Sequence, residues 1–154
     1  MLFLMFHLNK DRYVLDVEQI EEVLPCIAVK AIPGTPHGVA GAINYHGRSV
    51  PLIDLSLLAL GRPCAEVMST RTILVRYPST QGQPRLLGLL AERATEILSR
   101  DLDDFEPSGI DAGTPAYLGP VLADEQGLIQ LVKVDALLPA EIRDALFQQI
   151  ETVA

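Results

Sequence analysis

Of the 154 residues only two are cysteine, none is tryptophan, and Cys-x-x-Cys does not occur. A lone pair, Cys26 and Cys64, cannot build a disulfide framework. In a reducing compartment both are expected to be small buried or half-buried fillers. The histidines His7, His37 and His46 are never three to five residues apart, so no local metal scaffold is present. Also missing are the Gly-x-x-x-x-Gly-Lys-Ser/Thr phosphate loop, a Gly-x-Gly-x-x-Gly opening a helix, and Gly-x-Ser-x-Gly. The acidic cluster Asp101, Asp103, Asp104 and Glu106 lacks the glycine and closing glutamate of a calcium loop. The residues make no positive case for catalysis, and neither a cofactor nor a metal is expected.

Basic charge is scarce as well. Twelve Lys and Arg stand against twenty Asp and Glu, for a formal net charge of -8 and a pI of about 4.7. Such a chain is repelled by a phosphate backbone and by an anionic membrane surface. Long apolar runs are lacking too. Met1-Leu2-Phe3-Leu4-Met5-Phe6 has no positive stretch ahead of it, and Asn9-Lys10-Asp11-Arg12 ends it too early for a secretory signal. No segment reaches the roughly 18 apolar residues of a membrane span. A soluble, cytoplasmic protein without direct membrane insertion is expected.

What is present is apolar: 49% hydrophobic residues, 21% charged, mean hydropathy +0.26. That signals either a large buried fraction or apolar surface kept for partners. The length suits one compact unit spanning 1–154.

Short strands separated by turn signals fill most of the chain. Residues 3–8 alternate, and Asn9 to Arg12 reads as a turn into Tyr13-Val14-Leu15. Asp16 to Gln19 suits a brief helical turn. In the following strand Ile20, Glu22 and Leu24 are expected on one face, with Glu21 and Val23 on the other. Adjacent Glu21 and Glu22 then point apart and cannot form a catalytic pair. Pro33 to Pro36 is a loop, and Arg48 to Leu55 a strand in which Pro51 calls for an edge or a bulge. Leu57 to Leu60 before Gly61 resembles a short helix with a glycine stop.

Thr72 to Arg76 is a further strand, and Ser79 to Pro84 a polar turn. Leu86 to Ala91, continued by Ala94 to Leu98, is apolar enough to be covered on both faces. Residues 100–116 read as a surface loop, and Tyr117 to Ala123 with Leu128 to Val134 as a hairpin. Pro139, Ile142, Leu146, Phe147 and Ile150 outline an amphipathic terminal helix. A mainly β protein of eight to ten short strands, in barrels or a sandwich, follows.

Two surface features stand out. Glu22, flanked by Ile20 and Leu24, is either an ordinary edge residue or a charged group that orients a partner on an apolar patch. His46 and Arg48 flank Gly47, as a plain polar turn or as donors presented to a partner.

In order along the chain, several segments resemble the CheW-like family. They are Phe3 to Phe6 through Tyr13, then Leu15-Asp16 and Ile20-Glu21-Glu22-Val23. The most specific is Pro36-x-x-Val39-x-Gly41-x-x-Asn44-x-x-Gly47-x-x-Val50-Pro51-Leu52-Ile53-Asp54-Leu55. Leu86 to Glu92, Thr95 to Leu98, Tyr117-Leu118-Gly119 and Leu128 to Val132 complete it, with Val134, Leu137 and Leu138 behind.

This resemblance implies two small five-stranded SH3-like barrels around a shared core, with a C-terminal helix. It implies a scaffold that binds the helical hairpin tip of a chemoreceptor and the regulatory domain of a CheA-type histidine kinase. Ile20, Glu22, Leu89 and Ile97 are then expected at a receptor groove between the barrels, and His46 and Arg48 at the kinase side. The family usually carries Asn-Leu-Arg-Gly where this chain has Asn44-Tyr45-His46-Gly47. Losing that arginine removes a permanent charge and a bidentate donor. A divergent adaptor is expected, as in a Wsp-type or pilus-type chemosensory system. A different class of reading is a small β-barrel ligand binder or enzyme with its site between the barrels. A third is a CheW-like domain of a longer signalling chain, against which Met1 and the terminal helix argue.

Overall fold

Alternation along two strands sets the architecture. In β1 (Leu2–Leu8), Leu4, Phe6 and Leu8 turn to one face and Phe3 and Met5 to the other, and all five are buried. In β7 (Arg85–Ser99), Leu87, Leu89 and Ala91 share the first of these faces, while Leu90 turns to a separate cluster. Both strands are therefore covered on two sides, which their unbroken apolar runs anticipate. The computed structural model describes residues 1–77, 85–109 and 113–153, with the side chains of 143–148 and 150 in the last helix. The polar turn expected at Ser79 to Pro84 and the Ile142 side chain lie outside the described residues.

The other strands are β2 (Asp11–Asp16), β3 (Ile20–Pro25), β4 (Val39–Tyr45), β5 (Arg48–Asp54), β6 (Arg71–Tyr77), β8 (Leu118–Asp124) and β9 (Gly127–Val132). The helices are α1 (Leu55–Leu60) and α2 (Ala140–Val153).

β7 belongs to two groups of strands at once. Its first half pairs antiparallel with β6 and parallel with β5, and β3 and β4 flank these. Its second half pairs with β1, which leads on to β2, β9 and β8. Two five-stranded units result, sharing one long strand. Where β7 passes between them its register against β1 shifts, and Arg93 adopts φ 51. A non-glycine residue there marks a sharp local bend.

Each unit has its own small core. Ile43, Val50, Leu52, Cys64, Leu74 and Leu90 fill the β3–β7 unit, while Phe3, Met5, Val14, Phe105, Leu122 and Ile129 fill the β1–β9 unit. The largest cluster lies between them. Phe6, Ile53, Tyr77, Leu89 and Val132 meet Leu146, Phe147 and Ile150 of α2 there. The space between the units is packed with side chains.

Local chemistry explains several motif residues. Asp54 is buried, yet both carboxylate oxygens are used: one accepts from Leu57 N–H at 3.1 Å, the other from Cys64 N–H at 2.9 Å. It caps α1 and clamps the loop that follows. Gly61 ends α1 at φ 76, as a left-handed stop requires. A Cβ on Gly41, whose φ is +145, would stand 2.0 Å from the Lys30 carbonyl oxygen. Its absence lets residue 30 pair with Ala42 through two 2.9 Å hydrogen bonds.

Two sequence expectations change, and one is met locally. Cys26 is exposed, although Cys64 is buried as expected. Pro51 lies within β5 but one residue ahead of the stretch that pairs with β7, so on that side it has the unpaired edge its missing N–H calls for. The 100–116 segment is more than a surface loop. Phe105 is buried with its ring centroid 5.3 Å from that of Phe3, and Glu106 bridges to Val121.

Candidate partner-binding surfaces

Register decides where the side chains of β3 point. Ile20 pairs with Val75, but Glu22 pairs with the neighbouring Leu74, so Glu21 is the extra residue of a bulge. Val75 faces the core between the units and Leu74 faces the core of the β3–β7 unit. Ile20 accordingly packs on the first and Leu24 on the second. Ile20 and Glu22, expected to share a face, are on opposite ones.

The bulge also reverses the expectation for the two glutamates. Glu21 forms a 2.7 Å ion pair with Arg76, which shares the Leu74 side of β6, and Glu22 reaches Tyr45. Both leave the strand on the same side, each committed to a different partner. Arg76 further donates to the Glu18 and Ile20 carbonyls, which ties the 3₁₀ turn at Val17–Gln19 to the start of β3.

Of the other receptor-side candidates, Ile97 is 59% exposed and pairs with Leu4, so it stands at the rim of the face that carries the shared core. Leu89 is on that face too, but at 0% exposure it has no surface to offer. Its expected place in a binding groove is corrected: central in β7, paired on both sides, it is core.

Of the residues expected to meet the kinase, His46 forms with Gly47 the two-residue turn between β4 and β5, with φ 50 and 83. Both values are positive, as a type I′ hairpin needs, and histidine tolerates this better than most residues. The Asn44 side chain accepts from Gly47 N–H at 2.9 Å and stiffens the turn. Tyr45 meets the His46 ring edge-on at 4.4 Å and donates to Glu22 at 2.5 Å. That bond, with some burial, holds the phenol above its ordinary pKa.

Arg48 opens onto a cleft of about 290 Å³ whose lining includes Lys30, Ile32, Ala42 and Ile43. Sequence reading missed Lys30; its approach to β4 depends on Gly41, whose need for a missing Cβ is not visible without the neighbouring strand. Tyr45 was in plain view as a departure from the family pattern, but nothing local pairs it with a residue 23 positions away.

A larger cleft of about 820 Å³ runs along the end of β3, with Val23, Cys26, Val67 and Met68 in its wall. The Cys64 thiol is pushed above its ordinary pKa by burial and then by Asp54, which makes it a poor nucleophile. Among the described residues no group of three or more His, Cys, Asp or Glu could hold a metal ion. Among them, too, no helix is long and apolar enough to cross a membrane.

The CheW-like domain family matches residues 2–141. The chain is 28% identical over 142 residues to the chemotaxis protein CheW of Rhizobium meliloti (strain 1021), covering 91% of this chain and 88% of that one. It is 28% identical over 141 residues to the chemotaxis protein CheW of Klebsiella aerogenes, covering 90% and 82%. Its fold is similar to the crystal structure of the scaffolding protein TtCheW from Thermoanaerobacter tengcongensis. The TM-score is 0.77 at 24% identity, over 90% of this chain and 88% of that one.

Proposed function

The chain belongs to the CheW-like domain family, and from that premise we propose that it is a non-catalytic adaptor coupling a chemoreceptor to a CheA-type histidine kinase. The observation that carries this is the ordered match over residues 2–141, close to the whole chain. The identity of 28% to two chemotaxis relatives fits a divergent member. Its proposed setting is a Wsp-type or pilus-type system. Its place is the cytoplasm, recruited to membrane-bound receptor arrays, and residues 1–154 act as one unit through the shared core.

The receptor tip, a helical hairpin, lies on the face rimmed by Ile20 and Ile97, with Glu22 beside it on the other side of β3. Apolar residues with one acidic neighbour give such a contact grip and orientation. The kinase docks at the His46–Arg48 hairpin. Single contacts of micromolar order suffice, since an array multiplies them. The packed shared core, with Phe6, Leu89 and Phe147 between the barrels, favours this reading over a ligand or catalytic site there.

Reconstitution tests it. Receptor-bearing vesicles and the kinase of the same organism should show a rise in kinase autophosphorylation when the purified chain is added. If the chain binds neither component and leaves kinase activity unchanged, the adaptor reading fails.

A further inference from the structure

We propose that the bend of β7 at Arg93 is an acid-sensitive latch: neutral His7 keeps the β1–β7 junction shut there, and a proton on its imidazole opens it. The latch is independent of the adaptor reading.

Strand pairing supplies the first ground. Met5 pairs with Glu96 and His7 with Glu92, so one residue of β1, Phe6, stands opposite three of β7, Arg93, Ala94 and Thr95. The surplus is absorbed at Arg93, whose φ of 51 costs energy in a residue that carries a Cβ. An interrupted ladder is where a sheet opens most readily.

The imidazole is the second. His7 lies across from Arg12 of β2 and Glu92 of β7, and its Nδ1 is buried with no hydrogen-bond partner among the described residues. In the neutral ring, with the proton on Nε2, that atom presents only a lone pair. In the imidazolium it must carry an N–H, and a buried donor without an acceptor is destabilising. Opening the junction gives that N–H to water.

The surrounding charges are the third. They are Arg12, bound at 2.6 and 2.7 Å to Asp124 of β8, and Glu92, Arg93 and Glu96 of β7. Glu92 is engaged by the Ala65 N–H at 3.0 Å. Burial and then Arg93 hold His7 below its ordinary value of 6.5; Arg12 adds to this, while Glu96 and the Arg93 backbone oppose it.

In the open junction the ring regains its ordinary value. Acid therefore favours opening: below 6.5 the open population rises by up to about tenfold per pH unit until the closed-state value is passed. The effect should spread to the loop after α1, since the Ala94 N–H donates to the Ser69 carbonyl at 3.2 Å and Glu92 holds Ala65.

Amide exchange of the full chain, followed by NMR from about pH 7.5 to about 5.5 and corrected for intrinsic rates, tests this. Over that range the amides of Phe6, His7 and Ala94 should lose protection by about threefold or more. At every pH they should exchange about tenfold or more faster than those of Ile73, Leu74 and Val75 in β6. The His7 ring should titrate below 6.5. His7→Gln, neutral throughout, should keep its protection at about pH 5.5, and His37→Gln with His46→Gln should respond as wild type does.

Exchange at the junction as slow as in β6 would mean that pH acts only on global unfolding, and overturns the latch. So does a His7 midpoint at or above 6.5, or a pH response that His7→Gln retains. If His7→Gln does not fold, the wild-type exchange and the His7 midpoint decide by themselves.

Discussion

The hydroxyl of Tyr45 donates a 2.5 Å hydrogen bond to the carboxylate of Glu22, joining the last residue of β4 to the edge strand β3. β3 and β4 are the outer strands of the β3–β7 unit and are not paired with each other. This bond crosses the seam between them. It also ties β3, whose Ile20 rims the proposed receptor face, to Tyr45, which carries the His46 ring at the tip of the hairpin.

Tyr45 should titrate above its ordinary value of 10.0 because deprotonation breaks the bond to an anionic acceptor. Stability from the bond is complete below the unfolded value of about 10 and is lost as pH rises through the higher folded value. The difference in absorbance at phenolate wavelengths between wild type and Tyr45→Phe isolates this one of four tyrosines. Glu22→Gln should bring its midpoint down; an unmoved midpoint would show that the bond is not formed in solution.

The hairpin tip of β8 and β9 is held by Arg12, whose guanidinium donates to Asp124 at 2.6 and 2.7 Å. Those bonds lower the Asp124 carboxyl from 3.8 to about 2, helped by the Gln126 N–H. The pair's contribution is therefore whole above about pH 4 and drains away as pH falls to about 2. Asp124→Asn should be less stable than wild type at pH 6 and converge with it near pH 2 in denaturant melts. A constant gap across that window would refute the assignment.

Ile97 and Leu89 share a strand and a face but differ in depth, so their variants should separate binding from folding. Ile97→Asp is expected to weaken receptor-tip binding by about tenfold with the melting temperature nearly unchanged. Glu22→Arg should weaken it too, with a lower melting temperature because the Tyr45 hydrogen bond is lost. Leu89→Ala removes fully buried apolar volume and should cost about 2–5 kcal/mol of stability. Chemical denaturation beside a pull-down of a receptor fragment distinguishes these effects.

Only one of the two thiols should react with a disulfide reagent in the native state. Cys26 is exposed; Cys64 is buried, its thiol 3.5 Å from the Leu90 carbonyl oxygen and its pKa raised. Labelling should stop at one equivalent and reach two on unfolding. Two equivalents at native pH would mean that the loop after α1 opens far more readily than its clamp by Asp54 implies.

Alternation in Phe3 to Leu8, the continuous apolar run of Leu86 to Ala91, the glycine after Leu60, and the turn at Gly47 were all readable in the sequence, because each is set by residues within one turn or strand. They suffice for a β-rich chain of short strands with a terminal helix, and the ordered motif suffices for the family. Packing decided the rest. A single extra residue at Glu21 separated Ile20 from Glu22 and gathered both glutamates on one side, and register depends on the partner strand rather than on the strand itself. Leu89 and Ile97 have the same apolar character, yet one is sealed between sheets and the other stands at a rim. Phe105 left its acidic loop for a core because Phe3 was there to meet it. Lys30 pairs with Ala42 because Gly41 left room for a backbone from another segment. The sequence by itself determined which residues alternate, turn and stop. Tertiary structure alone decided which of them meet, since contacts between distant segments depend on register, depth and close approach, none of which is a property of a local stretch of chain.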